Sequence, residues 1–219
     1  MILLLNGSFR GSKSNSDYFL NLLETELKEE CEKVHLNQVK ELPVLAEKLR
    51  EAEVLVIGMP LYVDGAPAQI VEFMERLYTD FRDTFKGLTV YVISNMGFYE
   101  SRQIHIQLDI VRNWCRKMGF TYGGGLAIGA GEMLGNLKNV PLDKGPDKKM
   151  GDGMKRLAAA VSQRETVSDI YVEPAGFPRR MYIMAAHMGW RNMAKNNGLT
   201  RKDLFRSAPE AASTTGNTK

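Results

Sequence analysis

The chain has 219 residues, of which 44% are hydrophobic and 25% charged, and its formal net charge is +3. This length suits one well-buried domain with an appendage, and the composition excludes a disordered or collagen-like chain. Basic residues are interspersed with acidic ones, as at 28–33, so the charge pattern argues against nucleic acid as a partner.

Further observations argue against a membrane-spanning segment, a signal peptide and a cysteine-ligated metal site. No apolar run approaches the roughly 18 to 20 residues that span a bilayer, and the run 1–5 is too short for a signal-peptide core. Cys31 and Cys115 lie far apart without CxxC spacing, so they build neither a zinc site nor a cysteine-ligated iron–sulfur cluster. We therefore expect a cytoplasmic protein with no membrane partner.

Short apolar runs alternate with amphipathic stretches along most of the chain. The runs predict five strands, at 2–5, 33–36, 54–57, 89–93 and 126–128, the last extended back toward 120. Helical spacing of apolar residues predicts helices within 19–27, 70–77, 104–118 and 154–161, and we expect a loop at 137–152. The alternation indicates a doubly wound α/β fold with a parallel sheet in the order 2-1-3-4-5. Its ligand is expected beyond the carboxyl ends of the strands.

The C-terminal part of the sequence predicts an extension of this domain. A Met-rich segment at 177–198 looks helical, so we expect one domain over 1–200, with a helical extension from about 174 and a polar, disordered tail over 201–219. Met181, Met184 and Met188 lie at helical spacing, and a symmetric homodimer would bury them. Packing in the core and a flexible lid over a ligand pocket are the alternatives.

The loop at 6–16 (NGSFRGSKSNS) lies between the first predicted strand and a helix. Glycines allow a tight turn, hydroxyl and amide side chains supply neutral donors, and the helix start adds free N–H groups with a favourable dipole. Arg10 adds a charge-assisted donor. Because the GxxxxGK[ST] and GxGxxG spacings are absent, the pattern predicts a site for one phosphate group. Alternatively, Ser14 only caps the helix, since Ser14 and Asp17 have capping-box spacing.

Two further loops follow the third and fourth predicted strands. In the second loop, 58–67, Pro60 stiffens the chain and Tyr62 offers an aromatic face to a flat ring, although a buried turn would fit equally well. In the third loop, 94–101, Gly97 permits close backbone approach, and Asn95 could donate to a developing negative charge. Its residues Glu100 and Ser101 fit a simple helix cap equally well.

The three loops together resemble those of the flavodoxin-like NAD(P)H-dependent FMN oxidoreductases. The likeness rests on the GSxR start and Ser-Asn-Ser end of the first loop, the turn Pro60-Leu61-Tyr62 and the segment 94–97 (SNMG), and it covers residues 1 to about 165. It implies a flavodoxin-like fold, FMN and NAD(P)H as cofactors, and electron transfer to a small acceptor such as a quinone, a nitro or azo compound, or free flavin. The segment from 177 onward looks like the extension of a bacterial subgroup of NADPH-dependent FMN reductases.

The resemblance also implies which residues bind the cofactor. Ser8, Arg10, Ser14, Asn15 and Ser16 would hold the FMN phosphate. The isoalloxazine ring would be lined by Pro60, Leu61, Tyr62 and Val63, and its other polar edge would contact Asn95, Met96, Gly97 and Phe98.

No catalytic side chain is predicted, which agrees with chemistry carried by a cofactor. His35, His105 and His187 have no partner at ligand or triad spacing, and we interpret them as structural. The lysines at 138, 144, 148 and 149 favour a solvated loop over a site for the 2′-phosphate of NADPH. Two other functions stay open: a flavodoxin-type electron carrier, against which the sequence pI of about 8.8 counts, and an interaction protein that kept only the fold.

Overall fold

A parallel β-sheet forms the centre of the protein. The structure is a computed structural model that describes residues 1–85 and 87–207. Its strands run in the order β2-β1-β3-β4-β5-β6. They are β1 (Ile2–Asn6), β2 (Cys31–His35), β3 (Val54–Pro60), β4 (Thr89–Asn95), β5 (Thr121–Ile128) and β6 (Ile170–Val172). The predicted fold class and the order of the first five strands are confirmed.

The prediction of five strands is one strand short. β6 has three residues and pairs in parallel with the end of β5, through Leu126↔Ile170 and Ile128↔Val172. A run this short has too little alternation to be recognised in the sequence, and it is a strand because β5 offers it an open edge.

Helices cover both faces of the sheet. They are α1 (Asn15–Glu26), α2 (Leu42–Glu51), α3 (Ala68–Phe81), α4 (His105–Met118), α5 (Gly131–Asn136) and α6 (Lys148–Gln163); α7 (Arg179–Asn196) follows later in the chain. Alternate residues of the buried strands supply the two cores: Leu3 and Leu5 pack with α2, α3 and α4, whereas Ile2 and Leu4 pack with α1 and α6. Cys115 is buried in the first of these cores, where burial raises the pKa of its thiol to about 12.

The loop predicted at 137–152 ends earlier than expected, because α6 begins at Lys148. Gly145, Gly151 and four lysines made this stretch look like a loop, since glycine is a poor helix former, yet α6 runs through both Gly151 and Gly153. In the fold, glycine is needed there for close packing: a Cβ atom on Gly153 would lie 2.9 Å from the Leu126 side chain. A tertiary contact thus overrides the local propensity.

The chain divides into two compact units, the first spanning 1–177 and the second starting at Pro178. The second unit contains α7, the helix predicted within 177–198, and a single turn of 3-10 helix at Asp203–Phe205. Of the predicted tail, residues 208–219 lie outside the described residues. In the parts of the chain that the structure describes, no helix is both long and apolar enough to cross a membrane.

Candidate functional site

The three loops singled out in the sequence meet at the carboxyl edge of the sheet. The first loop joins the end of β3 through a hydrogen bond from Gly7 N to the Gly58 carbonyl at 2.8 Å. The second loop joins the end of β4 through Leu61 N, which donates to the Asn95 carbonyl at 2.8 Å. The parallel register brings β1, β3 and β4 to this edge together, as the doubly wound topology requires.

Asn6, the last residue of β1, shapes the first loop from below. Its side chain is fully buried; its Oδ1 accepts from Ser8 N at 2.9 Å, and its Nδ2 donates to the Gly11 carbonyl at 2.9 Å. Asn37 reaches the same loop from the β2–α2 connection and donates to the Phe9 carbonyl at 3.2 Å. The backbone of the loop is therefore bonded to the buried side chain of Asn6 and the exposed side chain of Asn37, and the sequence analysis assigned Asn6 no such role.

Three of the predicted phosphate residues have partners within the protein. Ser14 caps α1, because its hydroxyl accepts from Asp17 N at 3.1 Å and donates to the Gly11 carbonyl at 2.7 Å. The Asn15 amide donates to the Gly131 carbonyl at 3.2 Å, and the Ser16 hydroxyl accepts from Asn95 Nδ2 at 2.9 Å. Ser14 is thus a helix cap, as the alternative interpretation of this loop expected, and the phosphate site stays a prediction.

The donors available to an anion include backbone amides, the Ser8 hydroxyl and the exposed cations Arg10 and Lys13. Within the described residues, the backbone amides of Asn15 and Ser16, in the first turn of α1, have no hydrogen-bond acceptor. The backbone amide of Ser12 has none either. First-turn amides have no partner inside a helix and carry its positive dipole end. Arg10 is exposed beside them, whereas Ser8 is buried and its hydroxyl accepts from Arg10 N at 3.4 Å. This donor set fits a terminal phosphate.

The second loop contains a strained and exposed turn. Tyr62 and Gly65 exchange two backbone hydrogen bonds, of 3.1 and 3.0 Å, around Val63 and Asp64. Val63 has φ 48° and Asp64 has φ 56°, and a left-handed conformation is unfavourable for a β-branched residue such as valine. Tyr62 is 44% exposed and Val63 is fully exposed, while Pro60 and Leu61 are half-buried.

The third loop divides its residues between the core and the surface. Asn95 is buried and links Ser16 to the Met59 carbonyl, at 2.9 and 3.3 Å. The side chain of Met96 packs in the core on the α3 and α4 side, so only its backbone faces the loop edge. Gly97 is exposed, and Phe98 is 68% exposed. The predicted residues are therefore brought together as a group, but Asn95, Met96 and Ser16 point inward.

Helix α5, which the sequence analysis did not predict, completes this edge of the site. The amides of Ala130 and Gly131 donate to the Phe98 and Met96 carbonyls at 2.6 and 2.7 Å. A Cβ atom on Gly131 would lie 2.9 Å from the Asn95 side chain, so glycine is required at this approach. A Cβ atom on Gly97 would lie 3.9 Å from Glu132 Oε2, so this carboxylate is next to the third loop. The sequence signal for α5 is weak, because six residues with two glycines show no helical periodicity.

Gln107 is a second buried residue of the site that the sequence did not reveal. It lies on α4, donates to the carbonyls of Pro60 and Gly65 at 3.0 and 3.2 Å, and accepts from the Ser94 hydroxyl. One side chain thereby fixes both ends of the second loop to the end of β4. Since α4 looked like an ordinary amphipathic helix, only the fold shows that this polar position faces the loops.

Glutamate side chains surround the far end of the third loop. Glu173, after β6, accepts from the amide of Ser101 at 3.2 Å and also from its hydroxyl. Tyr99 donates to the Phe177 carbonyl at 2.8 Å. Burial raises the pKa of the Tyr99 phenol, and the charges of Glu173 and Glu100 act in the same direction. Tyr99 is therefore a neutral hydrogen-bond donor that anchors the loop.

The arrangement fits a flat phosphorylated ring better than it fits acid–base catalysis. Donors for a phosphate lie at the first loop, and exposed apolar and aromatic side chains lie at the second and third loops. Within the described residues, no group of three His, Cys, Asp or Glu side chains is placed to hold a metal ion. The chemistry that such a site supports is that of a bound ring cofactor, which the loops orient.

Comparison with known proteins gives this geometry a family context. The sequence model of the family described as NADPH-dependent FMN reductase matches residues 1–131. Among curated proteins, none matches the chain.

Solved structures share the fold at low sequence identity. A flavone reductase is 12% identical with a TM-score of 0.56, over 96% of this chain and 99% of that one. RosB, with the bound intermediate OHC-RP (8-demethyl-8-formylriboflavin-5'-phosphate), is 14% identical with a TM-score of 0.55, over 100% and 94%. A flavodoxin from Streptococcus pneumonia TIGR4 is 12% identical with a TM-score of 0.51, over 74% and 97%. These likenesses show a flavodoxin-like fold.

Proposed function

The chain belongs to the NADPH-dependent FMN reductase family, and we propose that it passes electrons from NAD(P)H to a small, flat acceptor of the quinone, nitro or azo class, or to free flavin. It is a flavin-dependent NAD(P)H oxidoreductase whose cofactors are FMN and NAD(P)H. When bound, FMN supplies the chemistry: it accepts hydride from the nicotinamide and releases the electrons again. The residues of this chain have to bind the flavin, orient it and shield it from solvent.

The proposed phosphate site is the first loop. Arg10 and the first-turn amides of α1 donate to the phosphate, while Ser8 and Ser14 hold the loop in the conformation that presents those amides. Asn15 and Ser16 contribute their backbone amides, because their side chains are hydrogen-bonded to Gly131 and Asn95. The proposed phosphate site therefore relies on backbone donors more than on serine hydroxyls, which suits a group bound close to a helix start.

The proposed ring site lies between the second and third loops. Pro60, Leu61, Tyr62 and Val63 line one side, and Asn95, Met96, Gly97 and Phe98 line the other, with Met96 contributing only backbone. The observation that carries the acceptor proposal is the exposure of Tyr62 and Phe98, at 44% and 68%, at this edge. Exposed aromatic side chains beside an apolar turn give a flat acceptor a surface on which to stack.

A stopped-flow experiment tests the acceptor class. Protein loaded with FMN is reduced anaerobically with NADPH or NADH and mixed with a naphthoquinone, a nitrofuran, an azo dye or free FMN. We expect rapid reoxidation by at least one of these flat acceptors, and Tyr62→Ala should slow it about three- to tenfold. Ferricyanide is the control, because it is not flat and should oxidise both proteins equally.

Two results would contradict the proposal. If neither nicotinamide reduces the loaded protein within minutes, a flavodoxin-type electron carrier replaces it. If Tyr62→Ala slows reoxidation by ferricyanide as much as reoxidation by the flat acceptors, Tyr62 is not a stacking surface for acceptors and acts on the flavin itself.

A homodimer remains our proposal for the assembly. Met181, Met184 and Met188 on α7 are 46%, 59% and 55% exposed. Residues 178–207 carry seven Lys or Arg and one acidic residue, whereas residues 1–177 carry 21 basic and 24 acidic residues. A basic, apolar helix is thus complementary in charge to the α/β unit of a second copy. Sedimentation at micromolar concentration should show a dimer that Met184→Glu weakens; a monomeric wild type contradicts the proposal.

A further inference from the structure

A histidine lies directly beneath the proposed phosphate loop. His35, at the end of β2, pairs in register with Asn6 at the end of β1. Its Nδ1 is 3.1 Å from Asn6 Nδ2 and 3.7 Å from Asp17 Oδ1. Asp17 is buried in the first turn of α1, next to the amides proposed to bind phosphate. The three side chains therefore connect the loop, the helix start and the neighbouring strand.

The donor and acceptor arrangement depends on the protonation of His35. The amide nitrogen of Asn6 is only a donor, so its 3.1 Å contact is a hydrogen bond when His35 Nδ1 carries no proton. A protonated Nδ1 would face a second donor there, and its acceptor would be Asp17 Oδ1 instead. Neutral His35 with its proton on Nε2 thus accepts a hydrogen bond from Asn6, and protonated His35 pairs with Asp17. Imidazole is the side chain that makes this change between about pH 5 and 8.

The other charged groups near this ring leave Asp17 as its carboxylate partner. Lys33, two residues earlier on β2, pairs with Glu24 of α1 at 2.7 Å. The first loop adds the exposed cations Arg10 and Lys13 on its outer side. Among the described residues, the Asp17 carboxylate accepts only from side-chain amide groups, namely those of Asn6 at 3.3 Å and Asn21 at 3.3 Å. Its negative charge is therefore not neutralised by a neighbouring cation unless His35 is protonated.

We infer that His35 is a positioning residue that sets the strength of the phosphate grip through Asp17 and Asn6. With neutral His35, the Asp17 carboxylate opposes an anion at the start of α1. Protonation of His35 cancels that charge and strengthens the binding of a phosphate monoester, which on the proposed function is the phosphate of FMN. By linkage, bound FMN favours protonated His35 to the same extent.

The test is the pH dependence of FMN affinity in wild type and His35→Gln. FMN is titrated into the cofactor-free full-length protein from pH 5.5 to 8.5. The phosphate itself has an ionisation near pH 6, which affects both proteins equally, so the informative quantity is the ratio of their dissociation constants. We expect a ratio near 1 at pH 8.5 that rises to about three- to tenfold at pH 5.5, with wild type the tighter binder.

Riboflavin and a second variant provide the controls. Riboflavin lacks the phosphate, so its ratio should stay flat with pH. Asp17→Asn should raise FMN affinity at pH 8.5. Between Asp17→Asn and the double variant Asp17→Asn, His35→Gln, the ratio of the FMN dissociation constants should not change with pH. In wild type, NMR titration of His35 should show a midpoint at higher pH with FMN bound, because linkage is reciprocal. His105 and His187 serve as internal references in that spectrum.

The outcomes separate this inference from the proposed function. If FMN binds more tightly than riboflavin at pH 8.5 but the ratio is flat, or if the His35 midpoint does not move, only the role of His35 is overturned. If FMN and riboflavin bind equally well, the phosphate site and this inference both fail.

Discussion

The first loop and the turn at Tyr62–Gly65 lie at the same edge of the sheet but are built in opposite ways. The first loop is held from inside by Asn6 and Ser14, whose side chains are buried and bonded to its backbone. The turn is exposed, and its two central residues adopt left-handed conformations that ordinary side chains disfavour. Its own side chains do not hold it; Gln107 fixes its ends from α4.

The difference teaches how such a site divides its tasks. A tightly bonded loop presents fixed amides, which suits a cofactor that stays in place. An exposed turn presents an apolar surface that partners can reach, and its strain is the kind of feature that persists where function needs it. We therefore expect changes in the first loop to alter stability and FMN affinity, and changes in the turn to alter turnover.

The largest effect is expected for Asn6→Ala. The substitution leaves the Ser8 amide and the Gly11 carbonyl without their partner in a buried position. We expect a loss of about 2 to 4 kcal/mol in the free energy of unfolding and a fall of more than about 100-fold in FMN affinity. Urea unfolding and fluorescence titration measure the two quantities. Asn6→Asp keeps the acceptor for Ser8 but sets a carboxylate against the Gly11 carbonyl and Asp17, so it should weaken FMN binding as strongly as Asn6→Ala. Equal FMN affinities in wild type and both variants would contradict this role of Asn6.

Arg10→Ala separates cofactor affinity from stability. Arg10 is exposed, so the free energy of unfolding should hardly change, while the loss of a charge-assisted bond worth about 1.5 to 3 kcal/mol should weaken FMN binding about ten- to a hundred-fold. Flavin reduction at saturating FMN should change little. Arg156→Ala, an exposed arginine on α6, is the matched control. Equal effects of the two substitutions would mean that net charge, and not a local bond, holds the phosphate.

Asp147 shows what a buried polar group costs when it lacks the partners that Asn6 has. Its side chain is fully buried, and within the described residues neither carboxylate oxygen has a hydrogen-bond partner. Burial raises the pKa of this carboxyl to about 6, so its contribution to stability is present below about pH 3.8 and is lost as the pH rises through 6.

The corresponding test is Asp147→Asn in urea unfolding at pH 5 and pH 8. Relative to wild type, the variant should gain about 1 to 3 kcal/mol between these two pH values, because it has no charge to bury. The difference between pH values is the informative quantity, since the loss or gain of contacts is common to both. Parallel pH profiles for the two proteins would show that Asp147 is not the group that titrates.

The smallest effect is expected for the double substitution Val63→Asn and Asp64→Gly. Asn-Gly suits the two left-handed positions of this turn, so the free energy of unfolding should rise by about 0.5 to 1 kcal/mol. FMN affinity should be unchanged, whereas reoxidation by a flat acceptor should slow if the exposed valine forms part of the surface. Destabilisation of the variant would show that neighbouring contacts, and not the two residues themselves, set the conformation.

Five strands, the helices α1, α3, α4, α6 and α7 and the three loops follow from the sequence alone, whereas α2 and α5 were not predicted. Periodicity is a local property, and the first loop combines a strand end, glycines, hydroxyls and a helix start within eleven residues. The position of the site at the carboxyl edge also follows, because parallel strands joined by helices bring these loops to one side of the sheet. For the same reason, the residues of the three loops could be predicted as one group.

Only the tertiary structure decided which side chains face the site. Ser16 and Asn95 looked like ligands but bond each other at 2.9 Å, while Gln107 and Asn6 looked unremarkable and hold the loops. His35 had no partner at any sequence spacing, since Asn6 and Asp17 reach it through strand pairing and helix packing. Hydrogen bonds between residues that are distant in sequence leave no periodic signal, so side-chain direction in this protein is set by the packing of the whole sheet.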